Sequence, residues 1–179
     1  QALETFSGSK RRAEILGEAG GVLFMDDYGH HPTAIRETIR GIRDFWPSRR
    51  LVVDFMSHTA SRTRALFDEF ATCLDGADLA ILHRIYPSAR EAPDPEMTGR
   101  GLFQAVLESR KARGAGAQTL YFDDILEGRS EIRALLRPGD LFLTMGAGDN
   151  WRLGAALLED LSAPQKDKPL HSRVRYRES

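Results

Sequence analysis

VLFMDDYGHHPTAIRETIRGI, residues 22–42, decides how this chain folds, because its apolar period changes once within it. Residues 22–25 are a short unbroken apolar run behind Gly20-Gly21, the pattern of a strand buried on both faces. Pro32 then stands where a first helical residue tolerates a missing N–H. Ile35, Ile39, Ile42 and Phe45 recur beyond it at helical spacing, with Arg36, Arg40 and Arg43 on the other side. The spacing predicts a strand, a polar turn and an amphipathic helix that Trp46-Pro47 ends. The turn itself packs two carboxylates, a tyrosine, a glycine and two adjacent histidines into residues 26–31.

The same unit repeats along the chain. Further strands are predicted at residues 51–55, 78–85, 119–122 and 141–145. The helices between them are predicted at 61–74, around Leu102, Phe103, Val106 and Leu107, at 124–136 and at 150–161. Five strand–helix units in a row predict an α/β, doubly wound, mostly parallel sheet with helices on both faces. Such sheets bind ligands at the carboxyl ends of their strands. Here those ends are residues 26–31, 57–64, 84–90, 123–124 and 146–150, where the unusual polar residues gather. The connection 84–98, with Pro87, Pro93 and Pro95, is long for a compact domain and therefore marks a functional or mobile segment.

Bulk properties narrow the function. The 179 residues suffice for one well-buried domain. A net charge of −1 gives no general attraction to nucleic acid or acidic membranes. From Ser162 onward five basic residues stand against two acidic ones, which leaves the rest of the chain at −4. This tail, 162–179, is poor in apolar residues and is expected to be disordered. Cys73 is the one cysteine, so neither an internal disulfide nor a cysteine zinc cluster is possible, and it is expected to be buried as a small apolar residue. No apolar run reaches membrane-span length and no signal peptide opens the chain, so a soluble cytoplasmic protein is expected. The opening QALETF, without Met, suggests a piece of a longer protein.

Two groups carry the chemistry. In the first turn Asp26, Asp27, His30 and His31 have metal-ligand chemistry but no metal-site spacing, so no metal is expected. The plainer alternative is that one Asp caps the following helix and one His is held by backbone groups. In SHTASRTR, residues 57–64, His58, Arg62 and Arg64 sit near a helix start. A guanidinium there suits bidentate recognition of a carboxylate or phosphate. Arg64 is expected to pair with Asp68 one helical turn on. Gly146-Ala147-Gly148 is not a dinucleotide fingerprint, since a third glycine would fall at Trp151, and it serves a tight turn. No G-x-x-x-x-G-K-[ST] phosphate loop occurs in the chain.

Four segments together carry a family resemblance: FSGSKRRAEILGEAGGVLFMDDYGHHPTAI (6–35), SHTASRTRALFDEF (57–70), YPSAREAP (86–93) and PGDLFLTMGAGDNW (138–151). In this order they resemble the C-terminal domain of the Mur ligases, a Rossmann-like fold, from about Phe6 to Leu161. The resemblance implies a hinge remnant of the central ATPase domain at 1–20 and the C-terminal domain at 21–161. It also implies two absent domains, an N-terminal one for the UDP-sugar and a central one with the P-loop. It is strongest to the members that join L-alanine to UDP-N-acetylmuramate. In that reaction ATP, with Mg²⁺, activates the muramoyl carboxylate as an acyl phosphate, which the alanine amine then attacks. No catalytic residue is implied within this domain alone, and the isolated fragment is expected to be inactive.

Site residues carry over by motif. Asp27 is implied to contact the nucleotide ribose, and Arg12, or its neighbour Arg11, to be the hinge arginine that reaches the nucleotide. Tyr28 and His30 are implied to line the alanine and nucleotide site, and His58 and Arg62 to hold the amino-acid carboxylate. His31 is expected to be structural. One departure stands out. Where the family pattern reads P-H-R-Y-S-R-T-R, this chain has Thr59 in place of a carboxylate-holding arginine and Ala60 in place of an aromatic. Arg64, Arg84 or Arg90 is expected to compensate, or the acceptor differs. The related recycling ligase, which attaches a murein tripeptide to the same nucleotide sugar, is the alternative. A stand-alone anion- or nucleotide-binding module and a metal-dependent phosphoesterase are further ones.

Overall fold

The computed structural model describes residues 10–89, 91, 94–114 and 118–163. The strands are β1 (Glu14–Ala19), β2 (Val22–Asp27), β3 (Arg50–Met56), β4 (Leu79–His83), β5 (Gln118–Phe122) and β6 (Asp140–Gly146). The helices are α1 (Pro32–Phe45), α2 (Ala60–Ala65), α3 (Phe67–Phe70), α4 (Gly99–Ala112), α5 (Arg129–Leu135) and α6 (Trp151–Ser162). One mostly parallel sheet runs in the order β1-β2-β6-β3-β4-β5, with only β1 antiparallel to its neighbour.

Alternation along the strands sorts the core into two layers. Leu23, Met25, Val53, Phe55 and Leu143 face α1 through Ile35, Ile39 and Ile42, and α4 through Leu102 and Val106. Phe24, Val52, Ile81 and Phe142 face α5 and α6 through Ile132, Leu153 and Leu157. Each of these buried isoleucines and leucines is worth about 1.5–3 kcal/mol over its exposed state. The chain winds outward from β2 to β5 on the first face. It returns through α5 on the other, which seats β6 between β2 and β3. Right-handed crossovers require that change of face when the direction reverses. Connections therefore leave β6 and its two neighbours toward opposite faces, the place where open α/β sheets take ligands.

The expected sheet is present, with four differences. First, part of the segment expected as hinge is a strand: β1 extends the sheet past β2 through a turn with Gly20 and Gly21 at φ 58° and 76°. Its sequence EILGEA has no clean alternation, and a bulge interrupts its register. Second, Phe45 is 75% exposed and packs edge-on against Trp46, because α1 outruns the core at its last residue. Third, the helix expected at 61–74 breaks at Leu66, where φ is −122°, and Leu66 and Phe67 turn against the core. Fourth, strongly polar side chains lie in the interior, among them Asp54, His83 and Arg110. Arg110 donates to the carbonyls of Leu74 (2.5 Å) and Ala77 (2.8 Å), fixing the turns ahead of β4.

Cys73 is buried as expected, and burial pushes its thiol pKa up to about 12. Helix α6 runs through Ser162, and the remainder of the expected tail, from 164, lies outside the described residues. Among the described residues no helix is long and apolar enough to cross a membrane.

Candidate functional site

The β2 end is built on its two carboxylates. Asp26 is buried, accepting from the Thr144 hydroxyl (2.7 Å) and from Arg11 Nε (2.7 Å). Arg11 also donates to the Gly146 carbonyl (2.8 Å) and lies 5.0 Å from the Tyr28 ring centroid. It thus ties the segment before β1 to the ends of β2 and β6. Gly146 must be glycine: its φ is 130°, and a Cβ would sit 2.3 Å from the Met56 carbonyl oxygen. Asp27 accepts from the backbone N–H groups of Gly29 (2.6 Å) and Ala13 (2.8 Å).

The alternative in which an Asp caps α1 is corrected here. His31 occupies the cap, its Nδ1 3.3 Å from Thr33 N, while Asp27 folds the turn before it. His30 Nδ1 lies 3.0 Å from the Tyr28 carbonyl, and its ring meets Tyr28 edge-on at 5.3 Å. Tyr28 remains 37% exposed. Of the two hinge arginines, Arg11 is committed to these internal contacts. Arg12 is exposed and makes no hydrogen bond or ion pair to a described residue.

The β3 end carries the second group. His58 bridges in parallel to Tyr86 and stacks on its ring at 5.7 Å and 26°. Burial lowers the His58 pKa below its ordinary value, and the charges of Arg62 and His30 lower it further against an opposing pull from Glu91. The imidazole is therefore neutral at neutral pH. Those influences also bring His30, His58 and Arg62 into one electrostatic neighbourhood. Arg62 is half-buried, and its guanidinium has no hydrogen-bond or ion-pair partner among the described residues. Arg64 does not pair with Asp68. It binds Asp94 at 2.6 Å and Glu96 at 3.6 Å on the long connection, so it is not free to stand in for the arginine that Thr59 replaces. Arg84 lines a neighbouring cleft, and Arg90 lies outside the described residues.

Thr59 itself is strained. Its φ of 69° and ψ of 133° belong to glycine rather than to a β-branched residue. The conformation is held from both sides: Thr59 N donates to the Tyr86 carbonyl (3.3 Å), and its own carbonyl accepts from Thr63 N (3.2 Å) and Thr63 Oγ1 (2.7 Å). Its hydroxyl accepts only a long bond, 3.4 Å, from Arg62 N. Thr59→Gly is therefore expected to stabilise the domain by about 1 kcal/mol, after the entropy cost of glycine. Thermal melting checks this, as a rise of about 2–4 °C.

The sequence reading missed four site-forming residues. Asp54, His83 and Asn150 form a buried network under the β3 end. His83 Nε2 lies 2.6 Å from Asp54, its Nδ1 lies 3.1 Å from the Phe122 carbonyl, and the Asn150 amide donates to Asp54 and to the Met145 carbonyl. Asp26, Thr144, Asp54 and His83 share strand parity with the residues facing α5 and α6, so a polar row crosses that face of the sheet. A lone Asp inside LVVDFM was the available signal. The fourth missed residue, Glu91, reaches the start of α2 from the long connection. Beside it lies a cleft of about 480 Å³ at the ends of β4 and β5.

The family model for the Mur ligase, glutamate ligase domain, matches residues 11–148. A UDP-N-acetylmuramate–L-alanine ligase of Treponema pallidum is 52% identical over 157 residues, covering 88% of this chain and 31% of the relative. A murein peptide ligase structure from Psychrobacter arcticus shares 25% identity at a TM-score of 0.68, over 91% of this chain and 32% of that one. The structure of a UDP-N-acetylmuramate–alanine ligase from Thermotoga maritima shares the fold, with a TM-score of 0.65 and 22% identity over 89% of this chain and 31% of that one. The chain thus spans about a third of the length of the relatives it matches. On this match and this sheet, the chain belongs to the Mur ligase family through its glutamate ligase domain.

Proposed function

We propose that this chain is the acceptor- and nucleotide-facing C-terminal domain of an ATP-dependent ligase. The full enzyme joins L-alanine to UDP-N-acetylmuramate in the bacterial cytoplasm, for peptidoglycan precursor synthesis. The observation that carries the reading is the Arg62 guanidinium, without a partner among the described residues, beside a neutral His58 at the end of β3. A half-buried guanidinium without a counter-charge is costly unless a ligand supplies one. The α-carboxylate of an amino acid does so with bidentate geometry.

The remaining roles follow from what each side chain has left to offer. Asp27 spends one lone pair of each oxygen on the backbone and keeps others for a ribose hydroxyl. Arg12, exposed and without a partner among the described residues, can reach a phosphate, whereas Arg11 is held. Tyr28 and His30 form an exposed aromatic edge beside both. The acceptor amine must reach the acyl phosphate unprotonated and away from water, so domain closure over this face is part of the site. Mg²⁺, when bound, neutralises charge on the transferring phosphate. This chain's residues do not suit it: Asp26 is committed to Arg11 and Thr144, and no group of three candidate ligands occurs among the described residues. The P-loop and UDP-sugar domains are thus the required partners, and the hinge is the stretch before β1.

A tripeptide acceptor is the second reading. It is favoured by the 480 Å³ cleft, which is large for alanine. The 52% identity to the L-alanine ligase of Treponema pallidum, over 88% of this chain, favours the first. Phosphate release by the protein extended through its upstream domains, assayed with L-alanine and separately with the tripeptide, tests the choice. Release dependent on L-alanine is expected; release with the tripeptide alone would transfer the assignment.

A further inference from the structure

We infer that Glu91 is the acceptor-specificity residue that answers Arg62, its carboxylate receiving the ammonium group of a zwitterionic amino acid whose carboxylate lies on Arg62. The inference rests on the ligase reading above and adds the second half of the acceptor's recognition.

Glu91 comes from the connection between β4 and α4, yet its carboxylate lies on α2, accepting from Ala60 N (3.0 Å) and from the Ser61 hydroxyl. These are the two residues before Arg62. The connection is fixed there at two further points. Tyr86 exchanges backbone bonds with Ser57 and Thr59 and stacks on His58, and Asp94 binds Arg64. His58 senses Arg62 and Glu91 with opposite sign, so a cation and an anion flank one neutral imidazole. An α-amino acid carries the complementary pair of charges on two groups attached to one carbon.

The other nearby carboxylates are less suited. Asp94 is neutralised by Arg64, Asp123 accepts the Tyr121 hydroxyl at 2.7 Å, and Asp27 is folded into its own turn. Glu91 has no cationic hydrogen-bond or ion-pair partner among the described residues, and it opens onto the cleft with Ala60 and Tyr86. Hydrogen bonds from Ser61 and Ala60 hold its pKa below the usual carboxylate range, so it stays charged at neutral pH. Each of its oxygens retains a lone pair, and an ammonium brings three N–H groups to fill them.

The test uses the full-length enzyme and compares Glu91→Gln with Ser61→Ala. Gln keeps the size and an acceptor for Ala60 N but removes the charge; Ser61→Ala keeps the charge and removes one contact that fixes it. The wild-type requirement for L-alanine is measured first, and its absence would fault the ligase reading rather than this inference. Glu91→Gln is expected to raise the KM for L-alanine about tenfold, with kcat and the KM for ATP within twofold, and Ser61→Ala to leave all three within twofold. An unchanged KM for L-alanine in Glu91→Gln, or equal effects of the two substitutions, would make Glu91 a strut only and overturn the inference. Should Glu91→Gln lose its cooperative melt, inhibition of the wild type by the two halves of alanine decides. Competition with L-alanine by both propionate and ethylamine supports the paired cradle, and competition by propionate alone overturns it.

Discussion

Asp54→Ala is expected to destabilise the domain by about 3–5 kcal/mol, the range for breaking a buried ion pair from one side. His83 sits against two acceptors, the Phe122 carbonyl and Asp54, and is 2% exposed. Burial alone would lower its pKa, but the charge of Asp54 and the hydrogen bonds to Asp54 and Phe122 raise it above its ordinary value. Removing Asp54 strands the imidazole and frees one bond of Asn150, whose other amide bonds hold the turn that opens α6. Replacing both partners by apolar residues of similar size, Asp54→Val with His83→Leu, is expected to recover most of the loss. Denaturant unfolding of the two single variants and the double variant measures the coupling.

The effect of Asp54→Ala also depends on pH with a defined sign. The folded protein holds the His83 proton more tightly than the unfolded chain, so the pair's contribution is complete below the ordinary histidine value of about 6.5. It declines as pH rises through the higher folded-state value. The gap between wild type and Asp54→Ala should therefore narrow on going from pH 6 to alkaline conditions. A gap that widens would contradict the ion pair.

Arg62→Ala carries the largest expected effect on activity. In the full-length enzyme the KM for L-alanine is expected to rise on the order of a hundredfold, the value of a bidentate charge-assisted contact in a half-buried site. The KM for ATP should stay near wild type, because Arg12 and Asp27 lie on the other arm of the site. Arg62→Lys should recover little, since an ammonium lacks the planar fork. With Thr59 and Arg64 unavailable, no second guanidinium at the start of α2 shares the load. Steady-state kinetics with each substrate varied in turn separates these outcomes.

The sheet was legible because its five parallel strands are apolar runs separated by helices with one apolar stripe, and each period survives in the sequence. The candidate site was legible where its residues cluster in the chain, as at 26–31 and 57–62. Contacts that join distant segments were not. Arg11 and Arg12 look alike as neighbours, and only the fold turns one inward to Asp26 and leaves the other outside. Asp54 and His83 are 29 residues apart and each reads as a blemish in a strand; their shared parity matters only once β3 and β4 are adjacent. Glu91 was hidden in a proline-rich connection whose path follows from Tyr86 and Asp94.

Phosphate release decides whether this face is half of a composite ligase site. Phosphate release from ATP is followed with UDP-N-acetylmuramate, Mg²⁺ and L-alanine, first with this chain alone and then with the protein extended through its upstream domains. A composite site predicts no release by the chain alone and alanine-dependent release by the extended protein. Turnover by the isolated chain, or alanine-independent turnover by the extended one, would contradict it.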